Sequence, residues 1–249
     1  MSEGSRGVVV RAEGVAQRFG SRTIFHEVSF TVAEKEVFVI LGGSGCGKST
    51  LMKQLIGLLA PSSGSIEVLG HDMVRDKASV LPHIGVMFQS GALFGSMTLI
   101  ENVMLPLEIY TRLRPPARES VARTKLGLVG LGAAAGLLPA EISGGMAKRA
   151  GIARALALDP PLLFLDEPGA GLDPITSAGL DALILELRDA LGVTFVVVTH
   201  ELSSIMAIAD RCIMLDREAQ GLIAEGRPER LKAESTNPIV HAFFHREVL

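Results

Sequence analysis

The residues Gly42-Gly43-Ser44-Gly45-Cys46-Gly47-Lys48-Ser49-Thr50 combine glycines, a lysine and hydroxyl side chains at the spacing a phosphate-binding loop requires. Glycines let backbone N–H groups turn inward around phosphate oxygens, because no Cβ blocks the approach and positive φ costs them little. Lys48 is placed to reach the β- and γ-phosphates of a nucleotide, and the Ser49 hydroxyl to ligate Mg2+. Glycine-rich loops also join strands to helices in folds that bind nothing, so the flanks decide. The apolar run Val37-Phe38-Val39-Ile40-Leu41 leads in, and Leu51 to Leu59 follows with apolar residues at helical spacing. Strand, loop, helix is the required context, and the helix adds the positive end of its dipole beneath the anion. Nucleotide binding is the expected chemistry.

Further candidates stand where apolar runs end, and in open α/β sheets ligands bind outside the carboxyl ends of the strands. Leu162-Leu163-Phe164-Leu165 ends at Asp166-Glu167, Thr194 to Thr199 ends at His200, and His83 to Phe88 ends at Gln89. Asp166 suits an Mg2+ partner for Ser49. Glu167 is placed to polarise an attacking water as general base, although a pair of acids after a strand can also cap the next helix. His200 can donate a hydrogen bond to the γ-phosphate or the water, or be a satisfied core or surface histidine. Gln89 is neutral and no strong base; it can orient water, touch Mg2+, or act as a hinge where sheet gives way to helices. Ser143-Gly144-Gly145 precedes a helical segment and can present donors at its N-terminus, with Ser143 as cap; alone it would be a helix-start turn.

The elements that must position these groups follow in order. Val8–Ala12 and His26–Val32 read as strands separated by a turn, Arg18-Phe19-Gly20-Ser21-Arg22, in which Phe19 reads from the residues alone as core. A turn at 61–64 and a strand at 65–70 come next. From Ser90 to about Leu158 the pattern is helical, with Pro115-Pro116 starting one helix at Ala117. Leu180 to Leu191 has helical spacing and Gly192 stops it; Arg211–Leu215 and Gly221–Ala224 are closing strands. A helix from Pro228 to about Ala233 and an apolar tail, 237–249, finish the chain. One domain over 1–249 is expected, with its core at 1–89 and 159–236 and a helical insertion at about 90–158.

Composition narrows the function. The chain has 249 residues, a 48% hydrophobic fraction and a formal charge of −3, with scattered basic residues, so nucleic acid is not an expected partner. Two cysteines build neither a disulfide framework nor a zinc spacing, which fits a reducing compartment. Residues 1–7 lack the apolar core of a signal peptide, and the uncharged stretch 126–140 falls short of the roughly 20 residues that span a bilayer. Any membrane role is expected to come through a partner.

The ordered set of loop 42–50, Gln89, Ile142-Ser143-Gly144-Gly145-Met146, Leu162 to Glu167, Gly171-Leu172-Asp173 and His200 resembles the nucleotide-binding subunit of an ATP-binding cassette (ABC) transporter. That resemblance implies an α/β, P-loop NTPase cassette with a RecA-like core, an N-terminal antiparallel β subdomain and a helical insertion. It implies ATP and Mg2+, and two cassettes meeting head to tail. Ser143-Gly144-Gly145 of one chain would then complete the ATP site of the other, and Asp173 would cross the interface. Phe19 would stack on adenine, which displaces the core reading.

Phe88-Gln89-Ser90-Gly91-Ala92-Leu93-Phe94, Met97-Thr98, Glu101-Asn102-Val103, Met146 with Lys148-Arg149, and Asp173-Pro174-Ile175 resemble more closely the cassettes of Mce-associated, Mla-type phospholipid transporters. This implies a homodimer on the cytoplasmic face of the inner membrane, working with separate permease subunits, an Mce-domain protein and a small accessory subunit. The tail would pack on its own domain, or touch the neighbouring cassette or that subunit. An importer cassette for a polar nutrient would share every catalytic motif. Clamp cassettes of chromosome or repair proteins carry a long coiled coil absent here, and translation cassettes two copies and a basic face.

Overall fold

The computed structural model describes residues 7–89 and 91–247. The expectation for residues 1–6 as part of a non-signal N-terminus, Ser90 of the Phe88–Phe94 segment, and Val248 and Leu249 of the tail lie outside the described residues.

Strand β1 (Val8–Phe19) pairs with β2 (Arg22–Ala33) as a long antiparallel hairpin. Both strands run further than their apolar alternation suggests. Arg18 still pairs with Thr23 and Phe19 with Arg22, so the turn shrinks to Gly20-Ser21, where Gly20 takes the φ of +59° that glycine tolerates. Then come β3 (Val37–Gly42), α1 (Lys48–Leu55), β4 (Ser63–Val68) and a two-residue β5 (His71–Asp72). The turn expected at 61–64 gives way early to β4, because Ser63 and Ser65 join the ladder with β1. These four antiparallel strands are ordered β2-β1-β4-β5.

After a short α2 (Lys77–Val80) and β6 (Ile84–Met87), helices take over: α3 (Leu99–Tyr110), α4 (Pro115–Leu128) and α5 (Gly144–Ala155). Thr98 and Glu101 form a reciprocal cap on α3, with Glu101 receiving the Thr98 N–H at 2.7 Å. α4 begins at Pro115 rather than Ala117, since proline at a first helical position loses no hydrogen bond. The chain closes with β7 (Leu162–Asp166), α6 (Pro174–Leu191), β8 (Thr194–Val198), α7 (Leu202–Ile208), β9 (Arg211–Asp216), β10 (Gly221–Gly226), α8 (Pro228–Glu234) and α9 (Pro238–His245). Gly192 caps α6 at φ +68°.

The second sheet is ordered β10-β9-β3-β8-β7-β6, parallel except for β10 on its edge. Its central strands are buried on both faces, which is why they read as unbroken apolar runs. Alternation sorts their side chains into two cores. Val37, Val39, Leu163, Leu165, Phe195 and Val197 face the helical side; Phe38, Ile40, Phe164, Val196 and Val198 face α1 and the antiparallel sheet. This is the cassette fold expected from sequence. Among the described residues, no helix is long and apolar enough to cross a membrane.

The tail packs on its own domain. Asn237 caps α9 by accepting the Ile239 N–H at 2.9 Å, and Val240, Ala242 and Phe244 are buried, Val240 and Phe244 in the helical-side core. Apolar residues that look exposed in sequence are the inner face of a short helix. Phe244→Ala should therefore destabilise the chain by about 3–5 kcal/mol in urea unfolding, whereas a loss under about 1 kcal/mol would mean that α9 is undocked.

Candidate functional site

The phosphate loop is built by β3 running into glycines that sterics require. Gly42 has φ +147°, and a Cβ there would lie 2.2 Å from the Leu215 carbonyl oxygen. Gly47, at φ +106°, would drive a Cβ to 2.7 Å from the Phe25 ring. Gly47 therefore ties the loop to the β1–β2 hairpin, at whose tip Phe19 is 51% exposed. That exposure removes the core reading of Phe19. Cys46 is buried, and burial raises its thiol pKa against the lowering charge of Lys48, so it is a packing residue of the loop.

No side chain caps α1, and its first backbone bond closes only at Leu51, whose N–H reaches the Gly47 carbonyl at 2.8 Å. The N–H groups of the first turn are thus open to an anion. Lys48 Nζ donates to the carbonyls of Gly42 at 2.8 Å and Gly43 at 3.1 Å, folded back over its own loop. Ser49 is exposed and Thr50 half-buried.

β7 and β8 bring the acids and the histidine together. The β7–β8 ladder continues past its last pair, Asp166 with Val198, because the Glu167 N–H donates to the Val198 carbonyl at 2.8 Å. Glu167 sits at φ +47°, an uncommon left-handed backbone for a side-chain-bearing residue. Its Oε1 lies 2.8 Å from His200 Nδ1. Its other carboxylate oxygen, Oε2, is buried without a partner among the described residues, as is Oδ1 of Asp166. Neither acid caps the following helix: Asp173 does that for α6, accepting from Ile175 and Thr176 N–H at 3.1 and 3.0 Å. Those bonds, that from the Thr176 hydroxyl first, hold the Asp173 carboxyl below the usual range.

Buried orphan carboxylate oxygens call for a ligand. Burial, with the neighbouring Glu167 charge, pushes the Asp166 pKa up, and Lys48, Lys53 and Lys148 only partly oppose this. A carboxylate with a buried oxygen unpaired among the described residues fits a hard divalent cation. Ser49, Gln89 and Asp166 are the residues that would hold Mg2+, which when bound would supply positive charge to the phosphate oxygens.

Ser143-Gly144-Gly145 lies elsewhere in the chain's own contacts. Ser143 caps α5, accepting the Met146 N–H at 3.3 Å. A Cβ on Gly145 would meet Thr176 at 2.5 Å, and one on Gly144 would meet Leu172 at 3.7 Å. The glycine pair thus packs against the segment of Asp173.

Gln89 is exposed in the turn after β6, and its backbone reveals a residue that motif reading quoted without a role. Lys148 on α5 is 6% exposed, and its Nζ donates to the carbonyls of Gln89 and, at 3.2 Å, Glu167. Burial lowers its pKa, while the charges of Glu167, Asp166 and Glu201 raise it. The signal available in sequence was a lysine among Ala147, Ala150, Gly151 and Ala153, on a helix with little else to bury a charge.

A raised carboxyl pKa favours the protonated fold, so Asp166 stabilises below its unfolded pKa of about 4 and that stability is lost as pH rises through the folded value. At neutral pH without nucleotide, Asp166→Asn should raise stability by about 1 kcal/mol, some 2–4 °C in Tm, with the gain shrinking toward pH 4. An equal or lower Tm in the presence of chelator would contradict the strain assigned to Asp166.

Comparison with known proteins identifies the family. The ABC transporter family profile matches residues 25–170, more than half of the chain. The Mycobacterium tuberculosis (strain H37Rv) protein named "Probable ribonucleotide transport ATP-binding protein mkl" is 42% identical over 96% of this chain and 67% of its own length. The Escherichia coli K12 "Intermembrane phospholipid transport system ATP-binding protein MlaF" is 43% identical over 90% of this chain and 84% of its own. Among solved structures, the cassette MJ0796, described as a dimer in a post-hydrolysis state with ADP and Pi, superposes with a TM-score of 0.78 at 29% identity, over 88% of this chain and 98% of that one. The chain belongs to the ABC transporter family, as an ATP-binding and ATP-hydrolysing cassette.

Proposed function

We propose that the chain works as a homodimer on the cytoplasmic face of the inner membrane and drives separate permease subunits that move phospholipid or a similar hydrophobic substrate. The observation that carries the hydrolytic part is Glu167, buried at the end of β7 with Oε1 on His200 and Oε2 without a partner among the described residues. Glu167 takes the proton of the attacking water as general base, His200 holds the carboxylate's orientation and adds a donor, and Gln89 orients the water from its exposed turn. Lys48 turns from its loop carbonyls to the β- and γ-phosphates. Phe19 offers its exposed face to adenine. The loop from Gly42 to Thr50 wraps the phosphates, and Ser49, Gln89 and Asp166 would hold Mg2+.

Ser143, Gly144 and Gly145 act across the dimer on the partner's nucleotide, where Ser143 and the N-terminus of α5 meet the γ-phosphate; Asp173 lies on the same interface. The boundaries read from sequence, a core at 1–89 and 159–236 around a helical region at 90–158, describe one cassette that ATP closes against its copy. The phospholipid reading is supported by the likeness to MlaF and by the segments around Phe88–Phe94 and Met146. An Mce-domain protein and a small accessory subunit belong to the same reading. The ribonucleotide named for the mycobacterial relative favours a second reading, a cassette for a polar substrate with the same ATPase machinery.

Two experiments test these parts separately. Glu167→Gln should bind ATP as the parent does, lose about 10²–10⁴ in turnover and accumulate an ATP-bound dimer on size-exclusion chromatography; turnover at the parental rate would remove Glu167 as the base. The tagged chain, purified from detergent-solubilised membranes of its host, should bring down a permease, an Mce-domain protein and phospholipid. A permease with a solute-binding protein and no lipid would select the polar reading.

A further inference from the structure

Lysine rarely sits buried without a carboxylate on its ammonium, because dehydrating the charge is costly. Lys148 is such a lysine: 6% exposed, its donors directed at two backbone carbonyls from distant parts of the chain, Gln89 and Glu167. Its nearest hydrogen-bonding partners are the turn that follows β6 and the residue that follows β7.

We propose that Lys148 is a positioning residue for hydrolysis, fixing the peptide of Glu167 and the Gln89 turn relative to the helix that begins at Ser143. This rests on the reading of Glu167 as the base. Glu167 occupies a left-handed backbone conformation, φ +47°, which a non-glycine residue keeps only when its surroundings hold it there. Its N–H is held by Val198 and its carbonyl by the Ala170 N–H at 3.1 Å and by Lys148. The direction of the Glu167 side chain follows from the orientation of those two peptides. Losing the Lys148 bond leaves that carbonyl to the Ala170 N–H alone, while the His200 contact and the phosphate loop stay in place.

The same helix grips the other end of the Gln89 turn. Arg154 donates to the carbonyls of Gly91 at 3.0 Å and Ala92 at 2.7 Å. Between the two cations, Gly151 lets the helix come so close that a Cβ would sit 3.0 Å from Met87 and 3.4 Å from the Gly91 oxygen. Gln89, Gly91 and Ala92 are thereby held by α5, and Lys148 extends that grip to the residue after β7. A shift of α5, whose first turn Ser143 caps, reaches the Glu167 carbonyl through the Lys148 bond.

The test uses the purified full chain and steady-state ATP hydrolysis, with ATP binding measured separately in chelator. Lys148→Met, which keeps the stem and removes the donors, should lower kcat about 10–100-fold, the scale of a misplaced reacting group, while KM and ATP affinity stay within about 3-fold of the parent. Lys148→Arg, which retains donors, should recover most of the loss. A parental kcat in Lys148→Met overturns the proposal, as does an equal loss in both variants with a matching fall in Tm, the mark of a merely structural lysine. Should Lys148→Met fail to fold, Lys148→Gln, a neutral donor, should fall between the Arg variant and background, and a parental rate there overturns the proposal too. Glu167→Gln run alongside separates the readings: an unchanged rate there removes the base itself, whereas a lost rate there with a parental rate in Lys148→Met removes only the positioning role.

Discussion

The hydrogen bond from the Glu167 N–H to the Val198 carbonyl, 2.8 Å, is the interaction on which the rest of this site depends. It prolongs the β7–β8 ladder one residue beyond the sheet proper and so sets Glu167 level with His200, across a sequence gap that no local element could close. Parallel strands make this possible. Their carboxyl ends all emerge on one edge, so β3 delivers the phosphate loop, β6 the Gln89 turn, β7 the two acids and β8 the histidine to the same side.

Electrostatics explains why the cluster is poised rather than satisfied. Asp166 and Glu167 are adjacent and substantially buried, and each leaves an oxygen without a partner. Burial and mutual repulsion raise the proton affinity of Asp166. Such an arrangement costs stability in the free chain and fits the cation and the water of the proposed hydrolytic site. Lys48 is the foremost of the lysines that oppose this, and its ammonium also rests on the loop carbonyls.

The glycines do two kinds of work. Gly42 and Gly47 combine positive φ with contacts that would crush a Cβ, so the loop's shape is dictated by β9 and β2 behind it as much as by phosphate in front. Gly145 has a different reason: it lets the start of α5 lie against Thr176 and the segment of Asp173. The two candidate trans-acting segments are therefore held against each other.

Much was legible in the sequence because the signals are local. A glycine loop between an apolar run and a helical pattern specifies strand, turn and helix by itself, and unbroken runs such as Leu162–Leu165 announce strands covered on both faces. Gly192 marks a helix end through φ chemistry that involves only neighbours. Other features were decided only by tertiary packing. The length of the β1–β2 hairpin, which confines the turn to Gly20-Ser21 and exposes Phe19, comes from cross-strand pairing. The docking of α9 comes from the space left beside the helical-side core. Lys148 appears in sequence as one charge on a surface-like helix; its meaning lies in two carbonyls 59 and 19 residues away. Local chemistry determined which groups this chain possesses, and the parallel sheet, by bringing distant strand ends to one edge, decided which of them meet.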